Sequence, residues 1–135
     1  MADMWMRSTT FIFFILALAV LGVAHTLSTA FFLYWTYPWL DMPMHALGGA
    51  VVALGFLSVQ SRYARGKFQK GFFVALSVAF AVGILWELFE LTSGTTGTKP
   101  DYLRDTIVDL SMDIIGGAIG FLLGRASVRF DRSKS

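Results

Sequence analysis

The residues of this chain that could do chemistry are carboxylates and histidines set inside long apolar runs. Asp105, Asp109 and Asp113 follow one another at i, i+4 and i+8, a spacing that puts all three on one face of a helix. The same stripe continues through Gly116, Gly120 and Gly124. Glu87 and Glu90 stand at i, i+3, with Gly83 one turn before Glu87. Asp41 and His45 stand at i, i+4, with Gly48 and Gly49 one turn later, and His25 lies alone in an earlier apolar run. A charged Asp at the centre of a membrane-spanning helix costs about 2.5–3.5 kcal/mol even on an insertion scale. Carboxylates that share a site also repel. Shared protons, basic counter-ions or a bound cation would each relieve that repulsion. Oxygen-rich ligands with one or two imidazoles suit Mg, Mn, Fe or Zn as divalent ions. On this reading His45, Glu87, Asp109 and Asp113 are the metal ligands. Glu90, Asp105, Asp41 and His25 are supporting groups or a general base, and Arg104 attracts an anionic headgroup. Helix capping is the plainer role for Asp41 and Asp105, and Asp101 reads as a solvated loop residue.

The elements that must position these groups follow from composition. The chain has 135 residues, of which 56% are hydrophobic and only 15% charged, with 13 glycines. An average soluble domain carries about 25% charged residues, so a soluble globule, a coiled coil and a disordered chain are excluded. There is no cysteine, which removes disulfides, thiolate zinc sites and cysteine-held iron–sulfur clusters. Four stretches are long and apolar enough to span a bilayer, at about 9–35, 43–59, 71–91 and 105–124. The expectation is an all-α, polytopic membrane protein. Its single domain, 1–135, is a compact bundle of four transmembrane helices, with loops at 60–70 and 92–104. Arg7, the apolar run after it and Ser28-Thr29-Ala30 also fit a secretory signal; the segment is expected to stay as a signal anchor.

Orientation comes from basic residues. Nine of the eleven, Arg7, Arg62, Arg65, Lys67, Lys70, Arg125, Arg129, Arg132 and Lys134, flank the first, second, third and fourth spans on one side, and only Lys99 and Arg104 fall on the other. The positive-inside rule places both termini and the 60–70 loop in the cytoplasm of a multi-pass protein of the cell (inner) membrane. Topology and anionic lipid explain this charge, and no nucleic-acid partner is implied. Of the nine acids, only Asp3 and Asp131 then lie in cytoplasmic tails. The other seven converge in the outer half. Tyr34, Trp35, Tyr37 and Trp39 crowd the outer end of the first span, as an interfacial aromatic belt does. Asp113 is about 12 Å deeper than Asp105, near the middle of a hydrocarbon core of about 30 Å. The glycine stripe is a small-residue surface for close helix packing, open to use in a homo-oligomer or larger membrane complex.

Known intramembrane chemistries do not fit. Two histidines are too few for a histidine-box desaturase, and HExxH, GxSG and GxGD are absent. The DxxxDxxxD helix is similar to the metal site of CDP-alcohol phosphotransferases, but their DGxxAR element is missing. Taken together, Asp41-x3-His45 with Gly48-Gly49, Trp86-Glu87-Leu88-Phe89-Glu90, and Asp105-Thr106-x2-Asp109-Leu110-x2-Asp113-x2-Gly116 resemble the VanZ-like and YjdF-like (DUF2238) small membrane proteins over residues 38–124. VanZ-like proteins often carry Asn where Asp113 stands and Gln near Glu90, so the chain sits nearer the YjdF-like group. The resemblance implies a bacterial or archaeal cell membrane and the same polar core. VanZ itself is associated with resistance to the glycopeptide teicoplanin, and the resemblance supplies no catalytic role. Three functions remain open: a divalent-cation site, with a metal-assisted step on a lipid or cell-envelope precursor; an accessory or assembly subunit with a structural polar core; and a proton- or ion-coupled carrier.

Overall fold

The computed structural model describes residues 9–60, 63, 65–93 and 101–133. Arg7, Arg62, Lys99, Lys134 and Asp3 lie outside the described residues. Every regular element among the described residues is helical. Helix α1 is Thr9–Ala30, a short α2 is Leu33–Thr36, and a 3-10 turn covers Pro38–Leu40. Helices α3, Asp41–Val59, α4, Phe68–Ser93, and α5, Tyr102–Ser133, complete the chain. Four of these segments are long and apolar enough to cross a membrane. Consecutive spans alternate in direction, so α3 and α5 run parallel and start at the same end of the bundle.

Two boundaries differ from the sequence expectation, each for a physical reason. The first span ends at Ala30, not near residue 35. Its 22 residues rise about 33 Å and already cross the hydrocarbon core. Phe32 then takes a left-handed backbone, with φ 55° and ψ 31°, and Pro38 opens the following 3-10 turn. The last helix runs on to Ser133, giving 32 residues in place of about twenty. No proline follows Gly124 in the sequence and no helix-breaking turn follows it among the described residues, so hydrogen bonding simply continues into the charged segment carrying Arg125, Arg129 and Arg132.

Helices α3 and α5 form the axis of the bundle through glycine. A side-chain carbon on Gly49 would overlap the Asp113 carbonyl, one on Gly116 would overlap the Ala46 carbonyl, and one on Gly120 would lie 2.9 Å from the Ala50 Cα. Further along, one on Gly124 would stand 2.7 Å from Leu57. The glycine stripe is therefore filled within the chain by α3. On that face α3 occupies the space beside Gly116, Gly120 and Gly124. Gly117 faces Ala79 of α4, and the core at this level is Ala53, Leu57, Ala75 and Phe121, all with 0% exposure. Helix α1 is held more loosely. Its Phe14 ring seats on Gly55, and the Thr10 and Ser127 hydroxyls are 2.6 Å apart.

Overpacked cores cost about 1–3 kcal/mol, whereas Gly→Ala in an open helix gains about 0.5–1 kcal/mol. Gly116→Ala should therefore lower the thermal unfolding midpoint of the detergent-solubilised protein by several degrees. Gly22→Ala, with nothing within 4 Å of the added carbon, should leave it unchanged or raise it.

Candidate metal centre

The polar end of the bundle gathers side chains from three helices around one imidazole. His45 lies in the second turn of α3 and is 6% exposed. Its Nδ1 is 3.3 Å from Asp113 Oδ2 on α5, the long end of the hydrogen-bond range. Its Nε2 points the other way, 3.8 Å from Glu87 Oε1 on α4 and 3.9 Å from Asp41 Oδ1 on its own helix. Glu87, Asp109 and Asp113 are 5%, 4% and 5% exposed, and Asp41 and Glu90 are half-buried. One ligand atom each from Asp41, His45 and Asp109 lie within 4.8 Å of one another, and so do those of His45, Glu87 and Glu90.

Local structure explains each placement. Asp41 is already helical, with φ −61° and ψ −43°, and Leu40 is the capping residue. The cap expected of Asp41 is thus replaced by a place in the first turn, where its charge meets the positive end of the helix and its side chain reaches the one at i+4. Asp105 is not an N-cap either. Helix α5 begins at Tyr102, and the Asp105 N–H donates to the Asp101 carbonyl at 3.0 Å. The Asp113 carboxylate sits in a glycine cradle. A carbon on Gly83 of α4 would overlap Asp113 Oδ2, and one on Gly48 would stand 3.9 Å from Oδ1. These two glycines leave space for an anionic group near the middle of a spanning helix.

Glu87 is held on one oxygen only. The Thr106 hydroxyl donates to Oε2 at 2.8 Å, while Oε1 and His45 Nε2 are buried without a hydrogen-bond partner among the described residues. A separation of 3.8 Å exceeds hydrogen-bond reach. It is close to the distance of about 3.4 Å between two ligands of a tetrahedral ion with bonds of about 2.0–2.1 Å.

The structure brings together Asp41, His45, Glu87, Glu90, Asp109 and Asp113. It places His25 elsewhere: its Nδ1 lies 2.9 Å from the Tyr34 hydroxyl and its ring meets Trp86 edge-on at 5.7 Å. Arg104 is exposed on the first turn of α5. Two groups carry roles that sequence reading missed. Thr106 lies three residues before Asp109, on the acidic side of α5, and that register was its only signal. Tyr34 reads in the sequence as one more aromatic of the belt, yet the chain reversal after Phe32 folds it back toward Ser28 and His25. Burial, together with the negative charge of Asp41 and Glu90, pushes its phenol up to about 12. An acid whose pKa rises on folding keeps its proton where the unfolded chain releases it, so stability falls as pH climbs from about 10 to about 12. Absorbance titration near 295 nm should show one phenol ionising near pH 12 that vanishes in Tyr34→Phe; a wild-type curve that Tyr34→Phe leaves unchanged at that pH would contradict this placement.

No curated protein and no solved structure matches the chain. A family model described as Predicted membrane protein (DUF2238) matches residues 3–129, which take in every residue of the polar cluster and all of the four spanning segments but the last four residues of α5. The chain belongs to this family of membrane proteins.

Proposed function

We propose that this membrane protein binds a divalent cation at the polar end of its bundle, with His45 Nε2 and Glu87 Oε1 as the two innermost ligands. The observation that carries the reading is that both atoms are buried, lack hydrogen-bond partners among the described residues and face each other at 3.8 Å. Leaving such groups unmatched costs about 1–3 kcal/mol each, and more when charged. A cation removes that cost at both atoms at once. Asp41, Asp109 and Glu90 complete a mixed imidazole–carboxylate set that suits Mn, Fe, Zn or Mg. Asp113 takes a different role from the one expected of a ligand. It faces Nδ1, so it fixes the ring and its tautomer, as carboxylates behind metal-bound imidazoles do.

A second reading is favoured by the bonds the cluster makes within itself, His45 to Asp113 and Thr106 to Glu87. There the imidazole carries a second proton on Nε2 and the cluster serves as a polar core that fixes helix register. The orientation we propose puts the polar end outside the cell membrane and the arginine-rich end of α5 in the cytoplasm, on the asymmetry of Lys and Arg. The kinship we propose within the family is nearer YjdF-like than VanZ-like members, on Asp113 and Glu90.

Elemental analysis of the purified full-length protein, dialysed against metal-free buffer, tests the cation. The expected result is about one divalent ion per chain, lost in Glu87→Gln and His45→Gln. Asp113→Asn should keep the site but weaken it about 10–100-fold in a Mn2+ or Zn2+ titration. A wild type that neither retains nor takes up metal, with Glu87→Gln lowering the unfolding midpoint, would replace the cation by the structural core. For the orientation, a cysteine introduced at Ser133 should react with a membrane-impermeant maleimide only after cells are opened; reaction in intact cells would reverse the topology.

A further inference from the structure

The opposite end of the bundle carries a second polar feature that the cation reading does not use. Between the second and third spans lies a groove of about 440 Å³ lined by Tyr63, Gly66, Lys67, Lys70 and Gly71. Lys67 and Lys70 are both exposed and, three residues apart, lie on one side of the start of α4. Their position runs against helix electrostatics. The first turn of a helix favours acids, because its unpaired N–H groups and dipole are positive. Helix α4 has no acidic residue in its first turn and two lysines beside it. Asp131, the described acid at this end, is already used, accepting from the Thr9 N–H at 3.1 Å and from the Thr9 hydroxyl. The Arg125 guanidinium is drawn to the same corner, donating to the Gly66 carbonyl at 3.1 Å and lying 5.4 Å from the Phe68 ring centre. Arg125 thus makes contacts within the chain, whereas Lys67 and Lys70 are exposed beside the groove.

We infer that the groove is a binding site for the phosphate headgroup of an anionic phospholipid, held by Lys67 and Lys70. The choice of a lipid over free phosphate rests on what adjoins the groove. Phe68, next to Lys67, and Phe73, three residues beyond Lys70, are 45% and 67% exposed at the start of a membrane-spanning segment. Apolar surface for acyl chains thus begins where the cationic groove ends. Each lysine near an anionic membrane surface contributes about 1 kcal/mol, or about a fivefold change in affinity.

The test uses the full-length protein in nanodiscs of phosphatidylcholine, alone or with a fifth of phosphatidylglycerol, read by native mass spectrometry of retained lipid and by thermal unfolding. Wild type should retain phosphatidylglycerol preferentially and unfold at a higher temperature with it. Lys67→Gln/Lys70→Gln should lower that retention about 25-fold, Lys67→Arg/Lys70→Arg should restore it, and Arg104→Gln at the other end should leave it unchanged. Retention unaltered by Lys67→Gln/Lys70→Gln would overturn the site. Stabilisation by inorganic phosphate in phosphatidylcholine discs, equal to that by the anionic lipid, would overturn the lipid as its occupant. The cation site does not enter this readout, so either proposal can fail alone.

Discussion

The structure depends on how a carboxylate is kept near the middle of a membrane-spanning helix. Asp113 cannot face acyl chains without a large desolvation cost, so α5 must turn that face toward protein. The protein that meets it is mostly backbone. Gly49 lets α3 approach the Asp113 carbonyl, and Gly83 leaves on α4 the space that the carboxylate fills. Glycines and acids therefore belong to one device. Remove the glycines and α3, α4 and α5 cannot approach; remove the acid and the cradle becomes a void among helices that have no hydrophobic drive to close it. His45 follows as a consequence, because α3 held against α5 at Gly116 and Gly120 has its second turn level with Asp113.

Parallel direction matters as much as closeness. Helices α3 and α5 both begin at the polar end, and each carries an acid in its first turn, Asp41 and Asp105. Two positive helix ends thus face the gathered carboxylates and offset part of their repulsion. The other end has two helix starts as well, those of α1 and α4, and differs in its side chains: Lys67 and Lys70 stand beside the start of α4, and Arg125, Arg129 and Arg132 lie on the last turns of α5. The two ends of the bundle are thus distinguished by their acidic and basic side chains, and not by the direction of the helices.

Much of this is written in the sequence because membrane helices leave few choices. Four apolar stretches must be four helices, and acids spaced at i, i+4, i+8 must share a face turned from lipid. The convergence of His45, Glu87, Asp109 and Asp113 follows from those two statements. What the spacing does not carry is which neighbour the stripe meets. Gly116, Gly120 and Gly124 look alike whether they pack on another copy or on α3, and only the fold decides that Ala46 and Ala50 are their partners. Nor does spacing say which nitrogen of His45 faces which acid. That depends on the rotation of α3 about its axis, set by the depth to which the Gly49 and Gly116 contacts close. The reversal at Phe32 is hidden for a related reason, since Phe31 to Tyr37 is mostly aromatic and holds no glycine or proline to mark the break.

The reading of the polar cluster turns on two atoms, His45 Nε2 and Glu87 Oε1. Nδ1 of His45 already faces Asp113, and Oε2 of Glu87 already accepts from Thr106. Both side chains are therefore fixed from behind, and both leave one polar atom aimed forward. A proton shared between Nε2 and Oε1 would draw them within about 3 Å. At 3.8 Å, with Asp41 Oδ1 at 3.9 Å on the same nitrogen, these groups stand further apart than that, a spacing that the cation we propose would fill. The groups behind the site resist its collapse. That arrangement is what a cation site needs, because the ligands of an ion must be held apart against the helix packing that would press them together.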